Sequence, residues 1–216
     1  MDSRSLLHTA RRLAPLAQAY DLRLRQYGAT AGGVYWRNED GQRLRFEVLL
    51  DIIGPEEERL PLSLADLGCG YGAFFDFLAE QPQAANWQYR GYDISPGMIR
   101  MAERRIRDPR ARFEQSLIAT HLADFSFVSG TYNMKLDEPA RDWQLYIEEN
   151  LKDLWSKTRR GLAFNMLCTT TKNRKESDLF YADWRIFKDF CENQLSPDVT
   201  IRRDYPLAEW TMYVRR

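Results

Sequence analysis

Several things are scarce in this 216-residue chain, and each scarcity excludes a class of protein. Cysteine occurs three times, an odd count with no pairing plan, which argues against a disulfide scaffold. Histidine occurs twice, and no paired His or Cys ligand spacing is found, so a zinc site is not expected. Net charge is absent: 31 basic residues balance 31 acidic ones, which disfavours a polycationic nucleic-acid coat and an acidic disordered tail. No run approaches the roughly 18 apolar residues of a membrane helix, and the first residues lack a signal-peptide core. There is no internal repeat and no low-complexity tract. What is present is a 44% hydrophobic, 13% aromatic composition, enough for a folded core. The expectation is a soluble, cytoplasmic, globular protein, monomeric or homodimeric.

Leu6, Ala10, Leu13, Ala17, Tyr20 and Leu24 recur at helical spacing, with a break expected at Pro15. Gly28 to Gly41 is rich in turn residues yet carries Tyr35, Trp36 and Arg37. A second helix is expected from Leu44 through Val48 and Ile52, ending near Gly54-Pro55. Residues 1–60 therefore read as a helical N-terminal segment, and residues 61–216 as the core domain. In the core, buried strands are expected at Leu62 to Leu67, Tyr89 to Asp93, Arg112 to Leu117, Asp124 to Ser129 and Leu162 to Leu167. Helices alternate with them, one opened by Ser95 as N-cap and Pro96 as first helical residue, another capped by Asp183. This alternation implies an α/β fold with a mostly parallel sheet. The last two strands, Val199 to Asp204 and Trp210 to Val214, are too close in sequence for a parallel crossover and should be antiparallel.

Ala65-Asp66-Leu67-Gly68-Cys69-Gly70-Tyr71-Gly72 follows a strand and opens a helix, where glycines permit a sharp turn and close approach to a ligand. With Ala73 it also fits a dinucleotide fingerprint, so an NAD-dependent oxidoreductase is an alternative. Asp66, just before the glycines, suits a cationic ligand better than a pyrophosphate. Asp93, ending the next strand, can accept both hydroxyls of a ribose. The closing hairpin is not the usual dinucleotide-binding ending.

On these residues the chain resembles the class I S-adenosylmethionine-dependent methyltransferases. Asp66 to Gly72 is similar to that superfamily's glycine-rich motif, and Asp93 to its acidic position. Gly91-Tyr92-Asp93-Ile94-Ser95-Pro96-Gly97-Met98 resembles the small-molecule type, and Asp124 to Asn133 the fourth-strand motif. The chain also resembles bacterial methyltransferases of unassigned substrate that share a Ser-Gly-x-x-Asn stretch and a closing Asp-Tyr to Glu-Trp-Thr segment. The resemblance implies a Rossmann-like, seven-stranded sheet with an antiparallel last strand and helices on both faces. It implies S-adenosylmethionine as cofactor, no metal, and methyl transfer to an O, N or S atom of a small molecule, with residues 1–60 as a helical lid and substrate-recognition segment. Gly68, Gly70 and Gly72 would border its methionine part and ribose, with Asp66 near the ammonium and Cys69 facing the loop. Asp93 would bind the ribose hydroxyls; Ile94, Met98, Ser116 and Leu117 would lie beside the adenine; Ser129 and Gly130 would face the methionine moiety.

Because a sulfonium methyl is already activated, the protein mainly positions the acceptor. Tyr132, Asn133 and Tyr35 are the candidate catalytic residues, with Trp36, Arg37, Asn165, Tyr181 and Trp184 shaping the acceptor site. His8 and His121 lie away from the strand ends where ligands gather. The Ser-Gly-Thr-Tyr-Asn stretch lacks the Pro-Pro-aromatic pattern of nucleobase-amine methylation, and nucleic acid is disfavoured as a partner. Arg100 to Arg112 reads as a solvated basic face. Thr169 to Arg174, after the fifth core strand, could be a lid or an anionic-acceptor contact. A binding module without catalysis is the remaining alternative.

Overall fold

The computed structural model describes residues 3–169 and 178–216. The chain opens with α1 (Ser3–Tyr27), a 3-10 turn (Ala31–Val34) and α2 (Glu39–Leu50). The core follows as β1 (Ser63–Leu67), α3 (Ala73–Ala79), β2 (Gln88–Asp93), α4 (Pro96–Arg105), β3 (Ala111–Gln115), β4 (Ala123–Ser129), α5 (Ala140–Ser156), β5 (Thr158–Leu167), α6 (Trp184–Gln194), β6 (Asp198–Arg202) and β7 (Glu209–Arg215).

The strands form one sheet of order β3-β2-β1-β4-β5-β7-β6. The first five are parallel; β7 runs antiparallel to both β5 and β6. The closing hairpin is therefore as expected, and its antiparallel strand sits inside the sheet rather than at its edge. Strand order reverses between β1 and β4. That switch point opens a crevice beyond the carboxyl ends of the strands, where Leu67, Asp93 and Ser129 lie.

Two hydrophobic layers cover the sheet. On one, Trp143, Ile147, Leu151 and Leu154 of α5 and Phe187 and Cys191 of α6 pack with Leu162, Phe164 and Trp210, joined by Leu13 and Leu16 of α1. On the other, Phe46 and Leu49 of α2 and Phe74 and Phe77 of α3 pack against Leu64, Phe125, Phe127 and Tyr213. The first two helices thus share the cores of the sheet.

Local chemistry explains the element starts. Ser95 Oγ accepts from the Met98 amide (2.9 Å), with Pro96 in the first turn. Asp183 caps α6 through the Arg185 amide (3.0 Å). Two expectations are corrected. The helix does not break at Pro15; α1 runs through it, since Leu13 and Leu16 on either side are anchored in the core. The second helix starts earlier than Leu44 and ends before Gly54. Asn38 caps it by accepting from the Gly41 amide (2.9 Å), and Glu39 and Asp40 suit its positive end. The apparent turn residues Asn38, Asp40 and Gly41 are a helix cap and first turn.

Candidate active site

At the switch point lies a cavity of about 700 Å³, within the size range of small-molecule sites. Its floor is the loop after β1. Gly68 holds φ 83°, and a Cβ there would come within 2.1 Å of Thr131 Oγ1, which itself donates to the Leu67 carbonyl (2.9 Å). The Gly68 and Cys69 amides donate to the Tyr92 carbonyl (2.7 and 3.0 Å), binding the loop to β2.

Two carboxylates flank this loop. Asp66 is buried; its Oδ2 accepts from the Tyr89 hydroxyl (2.5 Å), while Oδ1 has no partner. Burial raises its pKa to about 7, against the pull of the Tyr89 hydrogen bond and with help from the nearby Asp93 charge. Asp93 Oδ2 accepts from the Gly70 amide (2.9 Å) and Oδ1 from the Ser95 amide (2.8 Å). Burial raises Asp93 to about 6, opposed by those amides. Each oxygen keeps a further lone pair for a ligand hydroxyl.

One wall is apolar: Ile94, Met98 and Leu117 line it beside Ser116. The Ser116 hydroxyl donates to the Ile118 carbonyl (2.7 Å) and accepts the Ile118 amide (3.2 Å), so it serves its own turn. Leu13, Leu16 and Tyr20 of α1 complete this side. Asp21 beside them accepts from Ser95 Oγ and from the Gly97 amide (3.1 Å), docking α1 onto the start of α4. Tyr20 meets Tyr35 edge to face, 5.4 Å between centroids.

The opposite wall comes from the end of β4, α2 and the segment before α2. Ser129 Oγ and Asn133 Nδ2 are buried without partners. Asn133 is oriented by its other end: Oδ1 accepts the Leu167 amide (3.0 Å), so Nδ2 is free to donate. Tyr35, Trp36 and Arg37 line the cavity, together with Gln42, Arg45, Pro206 and Leu207.

The structure thus gathers Asp66, Gly68, Cys69, Gly70, Asp93, Ile94, Met98, Ser116, Leu117, Ser129, Gly130, Asn133, Tyr35, Trp36 and Arg37 around one space. It places five expected residues elsewhere. Tyr132 lies in the core with its hydroxyl donating to Asn150 Oδ1 (2.7 Å), and full burial holds its pKa far above the usual phenol value. Asn165 is buried beneath the wall, its Oδ1 accepting from the Gly130 amide (2.6 Å). Trp184 is flanked by Arg185 and Arg203 at 5.2 Å on α6. Tyr181 lies in the link before α6, outside the cavity wall. Gly72 caps α3 beneath Ile106 and Phe113 rather than facing the cavity. The stretch after Thr169, including Lys172 and Arg174, lies outside the described residues.

Sequence reading missed Tyr20, Gln42 and Arg45. One signal existed for the last two: they lie three apart on the same helical face as Phe46 and Leu49, an inward position that a cation occupies only with a partner. Among the described residues, no group of three His, Cys, Asp or Glu side chains could hold a metal, and no helix is long and apolar enough to cross a membrane.

A strand-end glycine loop between two carboxylates, at the switch point of a sheet closed by an antiparallel β7, defines the class I methyltransferase architecture. A family model described as a methyltransferase domain matches residues 64–151. "Putative methyltransferase Rv1506c" of Mycobacterium tuberculosis is 36% identical over 158 residues, spanning 72% of this chain and 94% of that protein. The chain belongs to this family and is an S-adenosylmethionine-dependent methyltransferase. Solved structures share the fold. Magnesium protoporphyrin IX methyltransferase (ChlM) from Synechocystis PCC 6803, with bound SAM, is 14% identical at TM-score 0.59, covering 82% of this chain and 80% of that one. The plantazolicin methyltransferase BpumL, in complex with a pentazolic desmethylPZN analog and SAH, is 13% identical at TM-score 0.62, covering 100% and 99%.

Proposed function

We propose that the enzyme methylates an O, N or S atom of a small molecule by in-line displacement, the cofactor lying along the β1–β2 side of the cavity and the acceptor beneath Trp36. The observation that carries this reading is the set of three buried polar atoms without partners. Asp66 Oδ1, Ser129 Oγ and Asn133 Nδ2 belong to three residues bordering one cavity, and a buried polar group left unpaired costs about 1–3 kcal/mol unless a ligand satisfies it.

Bound S-adenosylmethionine supplies an already activated sulfonium methyl. Asp66 Oδ1 would hold the ammonium of its methionine part, and Arg45, a buried cation of the cavity wall, would meet the carboxylate. Asp93 would accept the ribose hydroxyls, and the apolar wall of Ile94, Met98 and Leu117 would take the adenine. Ser129 and Gly130 would face the methionine chain. Asn133 Nδ2 would donate to a polar atom of the acceptor, leaving free the lone pair that attacks the methyl and orienting it toward that carbon. Trp36, Arg37 and Tyr35 close the acceptor end and exclude water. Residues 1–60 act as the lid that sets acceptor choice.

The test is isotopic. The enzyme is incubated with methyl-labelled cofactor and a fractionated cell extract. Label should enter the small-molecule fraction and follow the acceptor through purification. Label confined to protein or nucleic acid would overturn the acceptor class while leaving the enzyme class intact.

A further inference from the structure

Two sequence stretches stand far apart in the chain: Ser129-Gly130-x-x-Asn133 after β4, and Glu209-Trp210-Thr211 opening β7. A closed circuit of contacts joins them to the lid. The Gly130 amide donates to Asn165 Oδ1 (2.6 Å). Asn165 Nδ2 donates to Glu209 Oε1 (3.3 Å). Glu209 pairs with Arg45 on α2, Nε lying 2.9 and 3.0 Å from its two oxygens. The Arg45 guanidinium lies 3.9 Å from the Trp36 ring centroid. Trp36 returns to the start, for a Cβ on Gly130 would come within 2.2 Å of its ring.

The inner part of this circuit is sealed from water, while Trp36 is half-buried at the cavity. Side-chain exposure is 10% for Arg45 and 0% for Glu209, and Asn165 is fully buried. A buried ion pair is a poor way to gain stability, because well-packed apolar residues serve as well or better. Its position offers another reason. Trp36, Arg45 and Gly130 all line the cavity, yet Gly130 lies far in sequence from the other two, so only a tertiary contact can set their mutual register. Glu209 and Asn165 do not line it; they lie behind and connect the others.

We infer that Glu209 is a positioning residue. Through Asn165 it sets the loop at Gly130, and through Arg45 it sets Trp36 and α2, so that ligand binding at the strand end and closure of the lid segment occur together. The inference rests on the reading of this cavity as the methyl-donor site.

S-adenosylhomocysteine is the probe, titrated by calorimetry into the full chain. Glu209→Gln and Asn165→Ser should each raise its Kd about tenfold. The double variant should be no worse than the weaker-binding single, since both break one chain of contacts. In the wild type the ligand should slow amide hydrogen exchange across Glu39–Leu50, and in Glu209→Gln that slowing should largely vanish. Lowered thermal midpoints with unchanged Kd and exchange would reduce the circuit to packing and overturn the proposal. Tighter binding in Glu209→Gln would also overturn it, by making Glu209 a competitor for Arg45. If Glu209→Gln does not fold, Asn165→Ser and Glu209→Asp carry the same comparison. No binding by the wild type overturns the reading of the cavity and the circuit with it; wild-type binding with indifferent variants overturns the circuit alone.

Discussion

The two ends of the cavity are built in different ways. At the β1–β2 end the chain supplies main-chain groups and two carboxylates, all within Asp66 to Ser95. There the loop is shaped by its own hydrogen bonds, Gly70 to Asp93 and Gly68 to Tyr92. At the Trp36 end, side chains converge from the pre-α2 segment, α2, the end of β4 and the link before β7. The first end is a local motif on a rigid strand pair; the second is an assembly. A local motif can be kept while an assembly is rebuilt, so cofactor binding and acceptor choice can change separately. Substitutions of groups that meet only the acceptor should therefore spare cofactor binding, whereas Arg45 and Gly130 tie the two ends together.

The sharpest break comes at the local end. Asp93→Ala removes the acceptor for two main-chain amides and, on the proposed reading, for the ribose hydroxyls. Affinity for S-adenosylhomocysteine should fall by about 3 kcal/mol, more than a hundredfold, by calorimetry. Unchanged affinity would remove Asp93 from the cofactor site. At the assembled end, Asn133→Ala should leave that affinity within about twofold yet lower kcat/KM for the acceptor by roughly a hundredfold. Equal losses in both would mean that Asn133 belongs to the cofactor end.

Asp66 sharpens the contrast through pH. Its carboxyl titrates at about 7 and that of Asp93 at about 6 when folded, against the ordinary value near 3.8. The folded chain therefore keeps these protons longer than the unfolded chain as pH rises. Their contribution to stability is greatest below about pH 4 and is lost between about 4 and 7. On the proposed reading, ligand binding needs an ionised Asp66 to meet an ammonium group. Affinity for S-adenosylhomocysteine should thus rise through pH 7 with release of a proton, visible in calorimetry in buffers of different ionisation heat. Asp66→Asn should flatten the pH dependence of the thermal midpoint and weaken binding about tenfold at pH 8. A retained proton release in that variant would assign it elsewhere. The smallest effect belongs to Tyr132→Phe. Loss of its bond to Asn150 should cost about 1 kcal/mol in thermal or denaturant unfolding, with kcat and cofactor affinity unchanged. A fall in kcat at constant stability would return Tyr132 to the chemistry.

The uneven legibility of the sequence follows the same division. The expected strands from Leu62 to Leu167 and the Ser95-Pro96 helix start were readable because glycine turns, caps and period-2 or 3.6 patterns are local. So were Asp66, Asp93 and the glycines. Tyr132 and Asn165 were misplaced for one reason: a residue at a strand end can face the crevice or the core, and periodicity fails in the irregular turn at Thr131–Asn133. Trp184 and Tyr181 lie near the right strand ends in sequence, but α6 carries Trp184 to a surface shared with Arg185 and Arg203. Tyr20, Gln42 and Arg45 were hidden because helix periodicity shows an inward face without saying what it meets.

By itself, then, the sequence determined the class of fold, the antiparallel ending, the glycine loop and the carboxylates beside it, since each is written in neighbouring residues whose backbone preferences and hydrogen bonds are satisfied locally. Tertiary structure alone decided that α1 runs unbroken past Pro15 to dock through Asp21, and that Arg45 finds Glu209, 164 positions away. It also decided which of the strand-end polar groups, Asn133 rather than Tyr132 or Asn165, is left facing the cavity. Those outcomes depend on burial and on which distant partner satisfies each polar atom, and the balance is struck only when the whole chain has packed.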